Sequence, residues 1–334
     1  MNQDNKIAVK TLQQKCQTTR IATILTVHNR KSKTISCLKH LFSALDVYNR
    51  ELANGQKLTL SIYLTDDGCT DGTPEAIKEI FYAHNINILQ GDGNLFWAGG
   101  MRLAWQAAID TGIQWDYYLL MNDDTFIYEN AFFELFKTDD YIFKMTGRYG
   151  MSSGITCQPN NKNEITYGGM NFVNKTKGRL ELMIPTGEPQ RIGLTHANLL
   201  LIHHSVVDII GIFHKAYQHS CADNDYSMMA RRNGIFSYTT SNICGECEHD
   251  HDTNKKEAEH LMSMSYKERK EYINSPTHSD RDYLIFVSRN MPLRYPMSLI
   301  VRTIRLYFPS IYYYITSLRG VYTSNSNNTL ESNN

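Results

Sequence analysis

The first 121 residues alternate between two patterns of apolar positions. Short apolar runs rich in β-branched residues predict buried strands at residues 21–27, 58–64, 86–89 and 117–121. Between these runs, apolar residues recur every three or four positions, as they do on one face of a helix. Strands that alternate with helices predict an α/β fold with a mostly parallel sheet covered by helices on both faces.

Glycine, proline and capping residues predict where these helices begin and end. The first helix is expected to stop before Asn54-Gly55. The second has Thr73 as a candidate N-cap and Pro74 as its first residue. The third is expected to follow Gly99-Gly100 and to close at Gly112.

Each predicted strand runs into a polar or glycine-rich segment. These segments are residues 28–30, 66–67, 91–100 and 122–125. In open α/β sheets, ligands bind outside the carboxyl ends of the strands. The sequence therefore predicts one crevice surrounded by all four segments.

Asp123 and Asp124 directly follow the five-residue apolar strand at 117–121. Two ionised carboxylates at the mouth of a buried strand repel each other, and a divalent cation with oxygen ligands would keep both charged. A metal site is one interpretation of this pair. A solvated turn is the other, because Asp is common in turns.

The second half of the chain is less regular. Residues 197–202 predict a buried strand, followed by a helix from Ser205 to Gly211. A further helix is predicted within residues 221–234, because it opens with acidic residues and ends with arginines, as the helix dipole favours. The simplest role for Asp223 at its start is that of a helix cap.

Composition excludes some classes of function. Lys+Arg and Asp+Glu both number 34, so the formal net charge is zero and the basic footprint of a nucleic-acid-binding protein is missing. The seven Cys form no regular framework, which indicates reduced thiols in a cytoplasmic protein. The first apolar run is too short for a signal peptide or a membrane span.

A chain of 334 residues suits one large domain with appendages. The expected segments are a polar N-terminal stretch at 1–19, a main domain at 20–255 with halves 20–126 and 127–255, a helical region at 256–323, and a disordered tail at 324–334. The segment from Arg289 to Tyr322 mixes arginines with many Tyr and Phe. It does not span a membrane, but it is expected either to lie on one or to pack on the domain.

From about Ile21 to His251, these features together resemble the family 2 glycosyltransferases with the GT-A fold. In that family a loop of the form Asp-Asp-Gly-Ser-x-Asp-x-Thr contacts the base and ribose of the donor, and residues 66–73 match it with Cys69 in place of Ser. The family's Asp-x-Asp metal motif falls on residues 122–124, with Asn in the first place. The resemblance implies that Asp124 is the main metal ligand and that Asp123 contacts the ribose or the metal.

Two further segments carry the resemblance. Residues 93–100 resemble the Gly-Asn-x-Gly-x-x-Gly-Gly segment of the bacterial rhamnosyltransferase and galactofuranosyltransferase branch, and its glycines would either offer backbone N–H groups to the donor or form a tight loop before a helix. The family's pair of catalytic acids aligns with Ala222-Asp223, which leaves Asp223 as the general base. His249 or His251 matches the His that commonly completes the metal shell, and the resemblance does not choose between them.

The resemblance implies an inverting glycosyltransferase of bacterial surface polysaccharide synthesis. It would move a sugar from a nucleoside-diphosphate sugar, dTDP-rhamnose or a UDP-sugar, to a saccharide or lipid-linked saccharide. A divalent metal is implied, Mn²⁺ or Mg²⁺, and a His ligand would favour Mn²⁺. The enzyme would be cytoplasmic or peripheral on the cytoplasmic face of the inner membrane, in an oligomeric state left open. The implied site residues are Thr26, His28, Arg30, Asp66, Asp67, Asn94, Gly99, Gly100 and Asp123 for the donor; Asn122, Asp124, His249 and His251 for the metal; Trp97 and Asp225 for the acceptor; and Asp223 for catalysis.

Other functions fit the sequence less well. A nicotinamide-binding domain needs Gly-x-Gly-x-x-Gly directly after the first strand, where this chain has residues 28–30. A zinc or redox module could use Cys244 and Cys247 with the nearby histidines, but no second ligand pair lies at finger-like spacing. A sugar nucleotidyltransferase and a catalytically inactive carbohydrate-binding domain stay open as alternatives.

Overall fold

The computed structural model describes residues 18–52, 57–174, 178–249, 254–278 and 280–317. In its first part strands and helices alternate as predicted. They are β1 (Thr18–Val27), α1 (Lys31–Glu51), β2 (Lys57–Asp66), α2 (Thr73–Ile80), β3 (Ile86–Gln90), α3 (Phe96–Asp110) and β4 (Tyr117–Met121). The four predicted strands are therefore confirmed, with small extensions at their ends.

Two predicted helix starts were wrong by a few residues. The N-cap of α2 is Gly72, in the left-handed region at φ 76°, and Thr73 is the first helical residue. Helix α3 begins at Phe96, so the Gly99-Gly100 pair lies within its first turns and not before them. The predicted stop at Gly112 agrees with its φ of 69°, and Asn54-Gly55 lies outside the described residues.

The second half adds short strands and a group of helices. The elements up to the last strand are β5 (Phe126–Ile127), α4 (Ala131–Thr146), β6 (Met151–Gln158), β7 (Asn161–Tyr167), β8 (Gly169–Asn174), β9 (Arg179–Leu182), β10 (Gln190–Ile192), β11 (Leu194–Thr195), β12 (Leu199–His203), α5 (His204–Ile210), α6 (Ala222–Arg232) and β13 (Ser237–Glu246). The C-terminal helices are α7 (Asn254–Ser263), α8 (Tyr266–Asn274), α9 (Asp280–Asn290) and α10 (Tyr295–Tyr307), and residues 309–317 are again helical.

The central sheet joins a parallel half to a mixed half. Within the described ranges, the strand order is β10-β13-β6-β12-β4-β1-β2-β3. The pairs β4–β1, β1–β2 and β2–β3 are parallel, whereas β12 runs antiparallel to both β4 and β6. This arrangement confirms the predicted fold class, an α/β chain with a mostly parallel central sheet flanked by helices.

Apolar side chains on the central strands alternate between two cores. Ile24 and Leu120 belong to the cluster covered by α3, α6 and α9, whereas Leu25 and Leu119 belong to the cluster covered by α1 and α4. Both faces of the sheet are therefore buried, as near-continuous apolar strands require. Phe286 and Val287 of α9 lie in the first cluster, so this C-terminal helix packs on the domain. No helix within the described residues is long and apolar enough to cross a bilayer.

Candidate active site

The carboxyl ends of β1, β2 and β4 meet at one edge of the sheet. Val27 pairs with Asp66, and the Asp67 N–H donates to the Val27 carbonyl at 3.0 Å. The Asn122 N–H, just after β4, donates to the Asn198 carbonyl just before β12. This edge therefore collects the polar segments that the sequence placed around one crevice.

Asp123 and Asp124 form a buried acidic pair at this edge. Their exposed fractions are 5% and 4%, so the interpretation of these residues as a solvated turn was wrong. Arg30 Nη1 lies 2.5 Å from an Asp124 carboxylate oxygen and 3.5 Å from one of Asp123. Thr34 Oγ1 donates to Asp123 at 3.0 Å. Burial, together with the neighbouring Asp124 charge, raises the pKa of Asp123 to about 6, against the opposing effect of Arg30.

Asp223 is held by backbone N–H groups near the same edge. It is the second residue of α6, whose N-cap is Cys221 at φ 62°, so Asp223 is not the cap. Its Oδ2 accepts from the Ala197 N–H at 3.1 Å, and its Oδ1 accepts from the Asn224 N–H at 2.8 Å. Burial raises the pKa of Asp223 to about 6, although both N–H groups act in the opposite direction.

The segment Ala197-Asn198 connects Asp223 to the acidic pair. Ala197 binds Asp223, and the next residue accepts from the Asn122 N–H at 3.2 Å. The Asn198 side chain also donates to Cys247 Sγ, which in turn lies 3.8 Å from Asp124 Oδ1. Strand β12 begins at Leu199, two residues later than predicted. Ala197, which was expected to start the strand, donates to Asp223. Asn198 and Thr34 were not found from the sequence, since isolated polar residues in an apolar context carry no motif.

Trp97 and Asn122 form one unit at the cleft. Trp97 Nε1 donates to Asn122 Oδ1 at 2.9 Å, and the indole packs against Phe213 with ring centroids 5.6 Å apart. The Asn122 side chain thus holds an aromatic ring beside the acidic pair. Its predicted role as a metal ligand and that of Trp97 at the acceptor stay predictions.

Asp66 and Asp67 shape the loops around the cleft. Asp66 Oδ1 accepts from the Cys69 N–H at 2.8 Å. The two oxygens of Asp67 accept from the N–H groups of Gly93 at 2.9 Å and Phe96 at 2.8 Å, so this carboxylate positions the start of α3. Their direct contact with a donor stays a prediction.

Gly100 allows α3 to approach β1 closely. A Cβ atom at Gly100 would lie 2.4 Å from Thr26 Cγ2, a distance that only glycine avoids. The Gly99 N–H donates to the Gln218 carbonyl at 3.3 Å. Neither predicted role describes this glycine pair directly: it lies within α3 and not in a tight loop before a helix, and donation of its N–H groups to a donor stays a prediction. Asn94, which precedes the helix, is exposed.

A cleft of about 640 Å³ lies beside the end of β1, lined in part by Asn29, Arg30 and Asp71. His28 is exposed, and its Nδ1 donates to the Asp67 carbonyl at 2.6 Å. The Lys31 N–H donates to Asp71 Oδ2 at 2.9 Å, which ties the start of α1 to the loop after β2. Arg30 thus lines this cleft and also ion-pairs with the acidic pair.

Asp225 lies in a different environment from Asp223. It is 1% exposed, Arg289 Nε lies 3.1 Å from its Oδ1, and the Asn290 side chain donates to it at 2.7 Å. These α9 residues link α6 to the C-terminal helices. The geometry favours a structural role for Asp225, and its predicted contact with the acceptor is not tested.

Of the two histidines predicted as metal ligands, the structure describes His249, which contacts Gln158 and Tyr167. The His249 N–H donates to Gln158 at 3.1 Å, and its ring stacks on Tyr167, whereas His251 lies outside the described residues. Within the part of the chain that the structure describes, no group of three or more His, Cys, Asp or Glu side chains is arranged to hold a metal. Cys244 Sγ donates to the Thr240 hydroxyl at 3.3 Å, whereas Cys247 Sγ contacts Asn198 and Asp124, so the two thiols have different partners. A zinc site at these thiols stays an alternative.

The acidic pair nevertheless fits a cation that arrives with a diphosphate. Mg²⁺ is commonly held by one or two carboxylates plus substrate phosphates, without a complete protein cage. Asp123 and Asp124 provide such carboxylates. Burial first, and then the neighbouring Asp124 charge, raises the pKa of Asp123, and a bound cation would favour its ionised form. Carboxylate and phosphate oxygens suit Mg²⁺ and Mn²⁺ alike.

No protein-family model and no curated protein matches the chain. Among solved structures, it is similar to the crystal structure of S. aureus TarS 1-349, with 11% identity, a TM-score of 0.48 and 89% of each chain covered. It is also similar to TarS 1-349 in complex with UDP-GlcNAc, with 14% identity, a TM-score of 0.46, and 86% of this chain and 82% of that chain covered. Against the crystal structure of S. aureus TarS, identity is 14% and the TM-score 0.46, with 81% of this chain and 43% of that chain covered. Because the identities are 14% or less and the TM-scores are below 0.5, the similarity to these structures supports no inference about function.

Proposed function

We propose that this chain is an inverting glycosyltransferase that uses a nucleoside-diphosphate sugar as its donor. The observation that carries the proposal is the meeting of two acidic centres at one sheet edge: Asp123–Asp124 with Arg30, and Asp223 held through Ala197. One centre suits a diphosphate and its cation, and the other suits an acceptor hydroxyl. The cleft lined by Asn29 and Asp71 supports a nucleoside beside the first centre.

Asp223 would act as the general base. A pKa of about 6 leaves its carboxylate ionised at neutral pH and still basic enough to take a proton from an acceptor hydroxyl. The N–H groups of Ala197 and Asn224 orient the carboxylate. The hydroxyl oxygen would attack the anomeric carbon on the face opposite the diphosphate, and a single displacement inverts the configuration there.

Asp123, Asp124 and Arg30 would receive the departing diphosphate. A divalent metal, Mg²⁺ or Mn²⁺, held by the two carboxylates would supply Lewis-acid stabilisation of the diphosphate charge. Arg30 ion-pairs with both carboxylates in the protein alone, so its guanidinium offsets part of their negative charge before a donor binds. The acceptor would be a saccharide or a lipid-linked saccharide of a bacterial surface polysaccharide.

A panel of UDP- and dTDP-sugars, dTDP-rhamnose included, tests the proposal. Ligands that bind the native state raise apparent stability by mass action, so the true donor is expected to raise the melting temperature in the presence of Mn²⁺ or Mg²⁺. The same donor should then release its nucleoside diphosphate with water or an added saccharide.

The products separate the alternatives. A sugar nucleotidyltransferase would consume a sugar phosphate and a nucleoside triphosphate and release pyrophosphate. A carbohydrate-binding domain without activity would release neither product, while saccharides would still raise its melting temperature. Either result would replace the glycosyltransferase proposal.

A further inference from the structure

Helix α10 and the residues around it turn an apolar side to the solvent. Met297, Ile300, Ile304 and Phe308 recur every three or four residues, which places them on one helix face. Seven large apolar or aromatic side chains of this surface are between 50% and 97% exposed: Leu293, Met297, Ile300, Tyr307, Phe308, Ile311 and Tyr314. A helix in a globular domain normally buries such a face, whereas α10 exposes it to solvent. We call this surface the α10 apolar face.

The polar side of α10 is directed toward the protein. Arg305 forms ion pairs with Asp280 of α9 and Glu257 of α7, and Arg302 Nη2 donates to Asn274 of α8 at 2.7 Å. Ser298, on the same side, is buried. These contacts with three helices fix the rotation of α10 about its axis. The outward direction of the apolar face is therefore built into the fold.

The chemistry of this surface suits a membrane interface. The sequence between residues 291 and 317 contains neither Asp nor Glu, so an anionic surface would meet no carboxylate from this stretch. Exposed Tyr295, Tyr307 and Tyr314 present rings with a polar tip, the type of side chain enriched at lipid headgroups. Exposed Lys270 of α8 is close enough to Tyr307 to interact with it electrostatically.

The α10 apolar face is too narrow to form a stable dimer by itself. Helix α10 has 13 residues, so it is about 20 Å long and about 10 Å wide, which gives a strip of about 200 Å². A standard protein interface buries about 800 Å² on each partner. A bilayer sets no such minimum, because an apolar helix face inserts into the boundary between headgroups and acyl chains.

We propose that the α10 apolar face docks this protein onto an anionic lipid bilayer. Binding would combine insertion of the apolar side chains with attraction between exposed Lys270 and acidic headgroups. The inference stands on the geometry of α10 and does not depend on the proposed transferase activity. It would place any lipid-linked acceptor at the same surface as the enzyme.

Vesicle flotation of the full chain tests the proposal with a matched pair of variants. Met297 on α10 is 60% exposed, and Met145 on α4 is 59% exposed, so Met297→Asp and Met145→Asp add the same charge at equal exposure. Wild type is expected to float with phosphatidylglycerol vesicles at low salt, and less so at high salt. Met297→Asp should reduce the bound fraction at least tenfold, whereas Met145→Asp should leave it unchanged.

Three results would overturn the proposal. Wild type could stay at the bottom of the gradient with anionic vesicles, or both variants could lose binding equally. Alternatively, size-exclusion chromatography could show a wild-type dimer that Met297→Asp converts to a monomer, which would identify a second copy as the occupant. Equal melting temperatures of the two variants would show that Met297→Asp folds, and the wild-type flotation result stands even if it does not.

Discussion

At the scale of single residues, Asp223 and Asp225 show how position within one helix turn separates two roles. They lie two residues apart in α6, but Asp223 is only half-buried and bound by N–H groups, whereas Asp225 is buried against Arg289 and Asn290. A base must be reachable by its substrate, and only Asp223 meets that condition. The sequence alone shows two equivalent acids at a helix start.

We expect Asp223→Asn and Asp225→Asn to fail in different ways. Asp223→Asn keeps the shape and removes the basic oxygen, so turnover should fall by about 10² to 10⁴ while donor affinity stays within a few-fold of wild type. Asp225→Asn leaves the Arg289 guanidinium without its carboxylate, which should cost about 1–3 kcal/mol of unfolding free energy. Single-turnover kinetics and thermal melts measure both effects.

The pH dependence of wild-type turnover provides a control for these two variants. Because the pKa of Asp223 is raised to about 6, its carboxylate becomes protonated as the pH falls through 6, and wild-type turnover should decline below that value. Above pH 6 the base is ionised and this decline should be absent. Near wild-type turnover of Asp223→Asn, together with an inactive but folded Asp225→Asn, would show that the base lies two residues further along α6.

At the scale of elements, α9 binds the loop that leads into α6. One carboxylate oxygen of Asp282, a residue with no exposed surface, accepts from three successive backbone N–H groups: Gln218 at 3.1 Å, His219 at 2.8 Å and Ser220 at 3.0 Å. The Gln218 carbonyl in turn accepts from the first turn of α3, and the loop runs into α6. Asp282 therefore fixes a segment that contacts the first turn of α3 and leads into α6.

We expect Asp282→Asn to lower turnover through this loop. A displacement of about 1 Å at a reacting group costs up to about 10²-fold in rate, so kcat should fall by about tenfold to hundredfold with donor KM little changed. Asp280→Asn is the matched control, because it removes a buried acid from the same helix whose partner is Arg305 and not the loop. Turnover that falls in both variants only in proportion to their loss of folded protein would contradict the positioning role.

At the scale of the whole molecule, charge at the cleft links the donor to a cation. Arg30 comes from the start of α1 and the acidic pair from the end of β4, so the charge balance exists only in the folded chain. A cation that binds Asp123 and Asp124 has to displace the guanidinium or share the carboxylates with it. A cation and the Arg30 guanidinium should therefore compete for the carboxylates of Asp123 and Asp124.

We expect donor binding to depend on a divalent metal. Calorimetry should give tighter binding of the nucleotide with Mn²⁺ or Mg²⁺ than with EDTA, by about 5- to 150-fold, which is the usual range of coupling between two sites. In the absence of nucleotide, Arg30→Ala should bind Mn²⁺ more tightly than wild type, because the competing cation is gone. Equal nucleotide affinity under all three conditions would remove the metal from the mechanism.

The order and type of the central elements could be predicted from the sequence alone. Short apolar runs identify buried strands and a period of 3.6 identifies helices, so each segment carries the information needed to identify it. The same local patterns placed Asp66, Asp123 and the Gly99-Gly100 pair at strand ends or helix starts on one edge of the sheet. The candidate base Asp223 was found through a resemblance and a helix-start pattern.

Only the tertiary structure decided how these groups meet. The ion pair between Arg30 and Asp124 joins residues 94 positions apart, and the contact of Asp282 with Gln218 joins residues 64 positions apart. The outward face of α10 is likewise set by partners on α7, α8 and α9, because its apolar pattern alone would bury that face. Contacts between distant segments depend on the packing of the whole chain, and no local pattern encodes them.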